Sequence, residues 1–183
     1  FVSLLLTCLV VCSCVPIELS TSPDGKILIP RQEGYFVLDP ATGDAVNVYA
    51  PKGQPQFAVF SVDGKKAVTV TKGSEGVSIV DIDAKTAKKL ISVSNITYAG
   101  WSPDAALVSL TRMGEGKVAP LEENMPEILV VDAAGEKKKL ASNVSAIHRW
   151  FPDSKNILTF QITAKKESKY TGNLVKLDVA GGK

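Results

Sequence analysis

A short turn motif recurs four times along the chain, and this repeat restricts the fold more than any other feature of the sequence. Its aspartates are separated by 39, 41 and 49 residues. Self-similarity at a period of this size is typical of supersecondary units that stack on one another. The four copies are TSPDGKILIP from Thr21, FSVDGKKAVTV from Phe60, WSPDAALVSL from Trp101 and WFPDSKNILTF from Trp150, with their aspartates at Asp24, Asp63, Asp104 and Asp153.

The residues of each copy predict a strand, a tight turn and a second strand. Pro presets φ, Asp hydrogen-bonds the backbone ahead of it and Gly accepts a positive φ, while the flanking runs are rich in Val, Ile and Thr. A second recurring motif, which we call the second mark, follows each copy. It is an apolar run that ends in an Asp/Gly turn before a polar segment. The second marks are VLDPATG, VDIDAKTA, VVDAAGE and KLDVAGG, and we assign their turn aspartates as Asp39, Asp83, Asp132 and Asp178.

Each repeat is therefore expected to be a four-stranded antiparallel sheet of ~40 residues, the size of a propeller blade. The fold class is all-β, because no stretch keeps a 3.6-residue apolar period. The expected repeats cover 17–54, 55–95, 96–145 and 146–183. The last repeat stops before its fourth strand, so we expect an open arc from a propeller of six to eight blades.

These units resemble the Pro-Asp repeats of TolB-like β-propellers, relatives of the WD-repeat blade. The aromatic residue before the turn is kept as Phe60, Trp101 and Trp150, whereas the first repeat has Thr21. Val62 replaces the Pro of the motif, and Ala105 and Ser154 replace its Gly. The resemblance implies that the first strand of each blade lines a central channel. It implies little about function, because this scaffold has many roles.

The N-terminal segment FVSLLLTCLVV is uncharged and runs directly into Cys12-Ser13-Cys14. It has the length of a signal-peptide apolar region and falls short of the ~20 apolar residues that span a bilayer. Residues 11–14 resemble a bacterial lipobox, which implies that Cys14 carries the lipid and that residues 1–14 are signal peptide and lipobox, followed by the repeats over 15–183. A plain cleaved signal, an uncleaved anchor and a first apolar strand are the alternatives.

Composition excludes several classes of function. The 21 basic and 19 acidic residues give a net charge of +2 and no polycationic face, which argues against nucleic-acid binding. No cysteine follows Cys14, so the repeats hold neither a disulfide framework nor a thiolate metal site. No catalytic motif is present either, and we expect no metal and no cofactor.

Recognition residues are expected on the loops between the second and third strands of the last two repeats, from Arg112 to Glu127 and from Ala164 to Gly172. Loops on a rigid scaffold are where binding residues concentrate, although solvated loops that merely tolerate insertion are the alternative. Both loops would share one rim. The candidate contacts on this rim are Arg112, Glu115, Lys117, Glu122, Glu123, Lys165, Lys166 and Tyr170.

The remaining polar and aromatic candidates are better explained by structure. His148 and Arg149 lie in a first strand and could face the channel, but a lone histidine is more often structural. The matching repeat positions of Trp101 and Trp150 predict packing between blades. Asp81 and Asp83 would form a carboxylate pair on one side of a strand, but Asp83 is assigned to the structural turn.

Two functions fit these observations. The first is a non-catalytic lipoprotein of the cell envelope, anchored to the membrane outside the cytoplasm, whose propeller binds a protein, peptide or glycan through its loop face. The second is the propeller portion of a prolyl-oligopeptidase-like serine peptidase with its hydrolase domain beyond Lys183. A propeller lactonase or quinoprotein would need metal ligands converging on the channel, and the sequence shows none.

Overall fold

The chain folds into four consecutive antiparallel sheets, which confirms the all-β prediction. The computed structural model describes residues 19–73, 75–114, 125–166 and 169–181. All regular elements within those ranges are strands. Three sheets have four strands and the fourth has three, with the strands of each sheet in sequence order.

The strand bounds follow the repeat. The first sheet consists of β1 (Ser20–Thr21), β2 (Ile27–Arg31), β3 (Gly34–Leu38) and β4 (Ala45–Tyr49). The second consists of β5 (Pro55–Phe60), β6 (Lys66–Thr71), β7 (Gly76–Asp81) and β8 (Thr86–Ile91). The third consists of β9 (Ile96–Trp101), β10 (Leu107–Arg112), β11 (Glu127–Asp132) and β12 (Lys137–Ser142). The fourth consists of β13 (Val144–Trp150), β14 (Asn156–Lys166) and β15 (Lys169–Asp178), and it starts two residues before the expected boundary at 146.

The sheets pack face to face in chain order, and each interface buries its own apolar cluster. Leu28 and Tyr35 of the first sheet meet Ala58 and Phe60 of the second. The clusters between the second and third sheets and between the third and fourth are built in the same way. Because strand side chains alternate, the second and third sheets each contact the preceding sheet with one face and the following sheet with the other. First strands contact first strands, so β5, β9 and β13 share one inner side.

Indole side chains link neighbouring sheets, as the sequence predicted. Trp101 donates its Nε1–H to the carbonyl oxygen of Val59 at 3.0 Å, and Trp150 donates its Nε1–H to the Ser109 hydroxyl at 2.8 Å. Both rings lie at the end of a first strand and pack against the preceding sheet. The repeated aromatic position is therefore a blade-to-blade contact.

The motif aspartates organise the turns between first and second strands. In the third repeat the Ser102 hydroxyl donates to Asp104 Oδ1 at 2.6 Å and accepts the N–H of Leu107 at 2.9 Å. Asp63 receives the same bond from a serine hydroxyl in the second repeat, at 2.6 Å, and so does Asp24 in the first. Ala105 adopts a φ of 56°, which explains why Gly is usual at its position.

The fourth turn reaches the same geometry with different residues. Phe151 occupies the serine position, and the Asp153 carboxylate instead accepts the backbone N–H of Lys155 at 2.9 Å and the side-chain amide of Asn156 at 2.7 Å. Ser154, which replaces Gly, has a φ of 56°. The turn is therefore kept although two of its motif residues have changed.

One turn assignment from the sequence is wrong. In the second repeat the structural counterpart of Asp39, Asp132 and Asp178 is Asp81 and not Asp83. Asp81 ends β7, is paired with Lys66, and accepts the N–H of Ala84 at 2.9 Å. The sequence VDID offers two aspartates in the same phase, and only strand register distinguishes them.

The described residues of the segment from Ala164 to Gly172 form strands and not a loop. β14 and β15 stay paired there, with Ala164 opposite Thr171 and Lys165 opposite Tyr170. A register shift between Ile162 and Ala164 marks where the hairpin passes the ends of the neighbouring strands. The sequence does not predict this pairing, because the segment is polar and an exposed two-stranded arm does not need alternating apolar and polar residues.

Candidate functional site

The rim on the side of the β10–β11 connection has a firm base. Arg112 Nε donates to Glu127 Oε1 at 2.8 Å, and Lys139 Nζ lies 3.4 Å from Glu127 Oε2. Glu127 is largely buried and holds both cations. Arg112 therefore ties the end of β10 to the start of β11, where the predicted third-repeat loop begins and ends. Glu115, Lys117, Glu122 and Glu123 lie outside the described residues.

The fourth sheet extends this rim as an arm. Register places Gln161 of β14 at the position that Arg112 has in β10, so five residues of β14 continue past the end of the neighbouring strand. At about 3.4 Å per residue this makes an arm of about 17 Å. Tyr170 lies on it with 49% of its surface exposed, beside the backbone of Lys165 and Lys166. The arm brings together three of the predicted contacts.

A second polar group lies on the first strands of the third and fourth sheets. Arg149 of β13 donates a guanidinium N–H to the hydroxyl of Tyr98 of β9, and its Cζ lies 5.6 Å from the centre of the Tyr98 ring. The sequence singled out Arg149 but missed Tyr98, because the equivalent residue in β13 is Ile147 and no repeat pattern marks the position. The pair links two sheets across their inner side.

His148 is buried beside this pair. Its side chain is 1% exposed, its Nδ1 lies 3.1 Å from the Thr111 hydroxyl in a hydrogen bond, and its ring meets Tyr98 edge to face at 4.7 Å. Burial, with a smaller contribution from the Arg149 charge, lowers its pKa from 6.5 to about 3. Nε2 has no hydrogen-bond partner among the described residues. The ring is therefore neutral, and its burial between sheets fits a structural role.

A cleft of about 300 Å³ lies at the opposite side, between the turns of the first two sheets. Asp24, Asp63 and Asp83 line it together with Lys26 and Lys65. Lys26 Nζ is 2.8 Å from Asp24 Oδ2, and this contact with a bond from Ser22 lowers the pKa of Asp24 to about 2. Sequence reasoning assigned these aspartates to turns and did not foresee the cleft. Turn contacts hold Asp24 and Asp63 and lower the pKa of both carboxyls, so these two groups are ionised at neutral pH and are poor proton donors.

Neither a cluster of metal-ligating side chains nor a membrane-crossing helix is found among the described residues. No three His, Cys, Asp or Glu side chains in the described ranges approach one another as metal ligands. Within the same ranges, no helix has the length and apolar character needed to cross a bilayer.

Solved structures that are similar to this chain include several propeller proteins. Hydrazine synthase of Kuenenia stuttgartiensis is 20% identical with a TM-score of 0.63, over 90% of this chain and 51% of that one. TolB from Acinetobacter baumannii is 21% identical with a TM-score of 0.61, over 90% and 41%. A structure from a study of two prolyl endopeptidases is 13% identical with a TM-score of 0.56, over 85% and 28%. The chain spans about half the length of these proteins or less.

The stacked four-stranded sheets and their similarity to these structures define the chain as a β-propeller scaffold. No protein-family model matches the sequence, and no curated protein matches it either. Within the propellers, its fold is TolB-like, as the repeat motif implied.

Proposed function

We propose that the chain is the scaffold of a lipid-anchored, extracytoplasmic β-propeller that binds a protein, peptide or glycan through its rim. The anchor would be Cys14, and the membrane would be its first partner. Binding would use the arm of the fourth sheet together with the connection above Arg112. No catalytic step is assigned to the described residues.

The observation that carries the binding proposal is the projecting arm. A hairpin that passes its neighbours by about 17 Å adds nothing to the cores between sheets. It exposes backbone and an aromatic ring on strands that are already paired, so less conformational entropy is lost on binding than from an unpaired segment. Tyr is among the side chains that most often anchor interfaces, because its ring is large and carries a polar end.

Shortening the arm tests this proposal. A variant in which residues 163–171 are replaced by Asn-Gly keeps the pairing of β14 with β15 below the arm and closes it with a favoured hairpin turn. Photo-crosslinking from an amber-encoded side chain at Asn47, on the distant first sheet, provides the matched background. A second crosslinking side chain at Met113, which follows β10 on the same rim and is kept in every variant, reports on rim partners. We expect the partners crosslinked from Met113 to be lost when the arm is shortened or when Tyr170 is changed to Ala. An unchanged set of crosslinked partners from the rim of the shortened protein would refute binding through the arm.

The anchor has its own test. Cys14→Ala should abolish metabolic labelling with an alkyne fatty acid and release the protein from membranes, because two or more acyl chains are what make such anchoring stable. Cys12→Ala is the matched control and should keep labelling. Equal labelling of Cys14→Ala and the parent chain would exclude Cys14 as the lipidated residue.

The second candidate function is the propeller portion of a prolyl-oligopeptidase-like serine peptidase. The similarity to the prolyl endopeptidase structure over 85% of this chain favours it. The product of the intact gene should then react with a fluorophosphonate probe at a serine outside this chain. Absence of labelling in a folded, full-length product contradicts the peptidase and leaves the binding scaffold.

A further inference from the structure

The first strand enters its sheet from the side of the rim. Ser20 of β1 lies opposite Leu28 of β2 in an antiparallel pair, and β2 ends at Arg31. Register makes Arg31 the counterpart of Arg112, so it marks the rim on the first sheet. Leu19 is level with a residue two positions before Arg31 and therefore lies about 7 Å below the rim.

The segment between Cys14 and Leu19, which we call the tether, is short. Its five residue steps span at most about 18 Å, since a chain extends by no more than about 3.6 Å per residue. The direction of β1 favours an exit of the chain at the rim. A lipid on Cys14 would then hold the membrane surface within about 11 Å of the rim.

The arm of the fourth sheet projects further than the tether can reach. It passes the rim by about 17 Å, on the side from which β1 enters. An anchored propeller that stands with its rim towards the membrane therefore brings the arm to the bilayer surface. If nothing on the arm binds there, the propeller can instead tilt the fourth sheet away. The chemistry of the arm tip therefore decides the orientation.

The arm tip is basic and carries an aromatic residue. Its charged residues are Lys165, Lys166, Glu167 and Lys169. Register places Lys166 opposite Lys169, and like charges directly opposite each other destabilise a pair of strands. Tyr170, which is 49% exposed, has the amphipathic type of ring that is enriched at the headgroup level of membranes. Anionic headgroups would relieve the repulsion between the lysines and suit the tyrosine.

We propose that the rim faces the membrane and that the arm tip, with Lys165, Lys166, Lys169 and Tyr170, binds anionic lipid headgroups. This inference rests on the Cys14 anchor of the proposed function and adds a second contact with the same membrane. Two contacts, one in the first sheet and one in the fourth, fix how the propeller stands. A protein, peptide or glycan bound by the rim then lies at the membrane surface.

Vesicles with a chemically supplied tether test this orientation. The chain from Cys14 to Lys183, which is the form that processing at Cys14 would leave, has a single thiol. That thiol is coupled to a maleimide phospholipid in vesicles made of equal parts of phosphatidylcholine and phosphatidylglycerol. A trace of fluorescent phosphatidylglycerol reports lipid crosslinks on a gel. A photo-crosslinking side chain replaces Tyr170 or, as the matched control, Val62, which is 59% exposed on a turn at the opposite end of the sheets.

Position 170 should crosslink lipid and position 62 should give only background. Each lysine near an anionic surface is worth about fivefold in the binding equilibrium, so replacing three should lower the yield from position 170 about tenfold or more. The arm variant changes Lys165, Lys166 and Lys169 to Gln. The charge-matched control variant changes Lys65, Lys85 and Lys155 to Gln, on turns at the opposite end, and should crosslink as the parent does. Vesicles of phosphatidylcholine alone should give the parent the low yield of the arm variant.

Three results overturn the proposal. Equal lipid crosslinking from positions 170 and 62 would refute the orientation. Equal yields in vesicles with and without phosphatidylglycerol, or equal losses in the two triple variants, would refute recognition of anionic headgroups by the arm. Crosslinking from position 170 to a second copy of the chain, and not to lipid, would make that copy the occupant. Since the tether is supplied chemically, these outcomes do not depend on lipidation in cells, which the Cys14→Ala experiment decides separately.

Discussion

His148 gives the chain a defined dependence of stability on pH. Its pKa is about 3 in the folded protein, against 6.5 for an exposed histidine, because burial between the third and fourth sheets disfavours the imidazolium. The unfolded chain therefore binds a proton at a pH where the folded chain does not. The resulting stability is fully present above pH 6.5, falls as pH decreases, and stops changing below about pH 3.

Between pH 7.5 and pH 5.5, the change in the free energy of unfolding depends only on the pKa of His148 in the unfolded chain. Between pH 7.5 and pH 5.5 the unfolded histidine becomes protonated while the buried one stays neutral. The free energy of unfolding should fall by about 1.4 kcal/mol from this group. The chain has one histidine, so no other imidazole contributes.

Urea unfolding at half-unit intervals of pH, followed by intrinsic fluorescence, measures this slope in the parent chain and in His148→Gln. Glutamine can keep the bond to the Thr111 hydroxyl but does not titrate. The variant should lose the slope between pH 7.5 and 5.5, whatever its absolute stability, and carboxylate titration cancels in the difference. Parallel slopes in the two proteins would show that His148 is protonated in the folded state and would refute its burial as a neutral ring.

Three substitutions and one control substitution test the packing and turn chemistry by urea unfolding at neutral pH. Gly34→Ala should lower the free energy of unfolding by more than about 3 kcal/mol, because the added Cβ would lie 2.4 Å from a backbone oxygen of β4. Gly43→Ala is the control: its φ is also positive but its Cβ would meet open space, so it should lower the free energy of unfolding by about 1–2 kcal/mol. Equal losses in the two variants would contradict the close approach at Gly34. Trp150→Phe should cost about 1–3 kcal/mol, because the indole bond to Ser109 joins two sheets, and a cost near zero would contradict that link. Ser102→Ala should lower the free energy of unfolding by about 1–3 kcal/mol, because the partly buried N–H of Leu107 loses its acceptor, and an unchanged unfolding midpoint would contradict the turn network.

The repeat was predictable because its marks reflect local chemistry. Asp104 and Asp153 carry the turn by bonds to residues within a few positions, and such short-range requirements are visible in sequence. Trp101 was predictable for a different reason, since its position recurs in register with the turn. These two kinds of signal were sufficient to predict the sheets, their order and the tryptophan contacts.

The misjudged features depend on register and on contacts between repeats. Asp81 and Asp83 have the same identity and phase, and only pairing with Lys66 selects Asp81. The exposed strands of the arm lack apolar alternation, so the sequence predicts a loop there. The hydrogen bond from Arg149 to Tyr98 joins residues that are 51 positions apart in equivalent strands, and no local sequence pattern predicts it. The candidate site was therefore less predictable than the fold.

The interfaces between sheets differ in chemistry, and this difference specifies which sheets pack together. Val68 and Val70 of the second sheet face Ala99 and Trp101 of the third in a purely apolar cluster. At the equivalent positions the third sheet has Ser109 and Thr111. Their hydroxyls form hydrogen bonds with ring nitrogens of the fourth sheet, Ser109 with Trp150 and Thr111 with His148.

Exchanging partners between these two interfaces would leave buried polar atoms unpaired, at a cost of about 1–3 kcal/mol for each. The match between polar and apolar side chains across each interface therefore favours the observed packing of these similar sheets and disfavours packing in a different order.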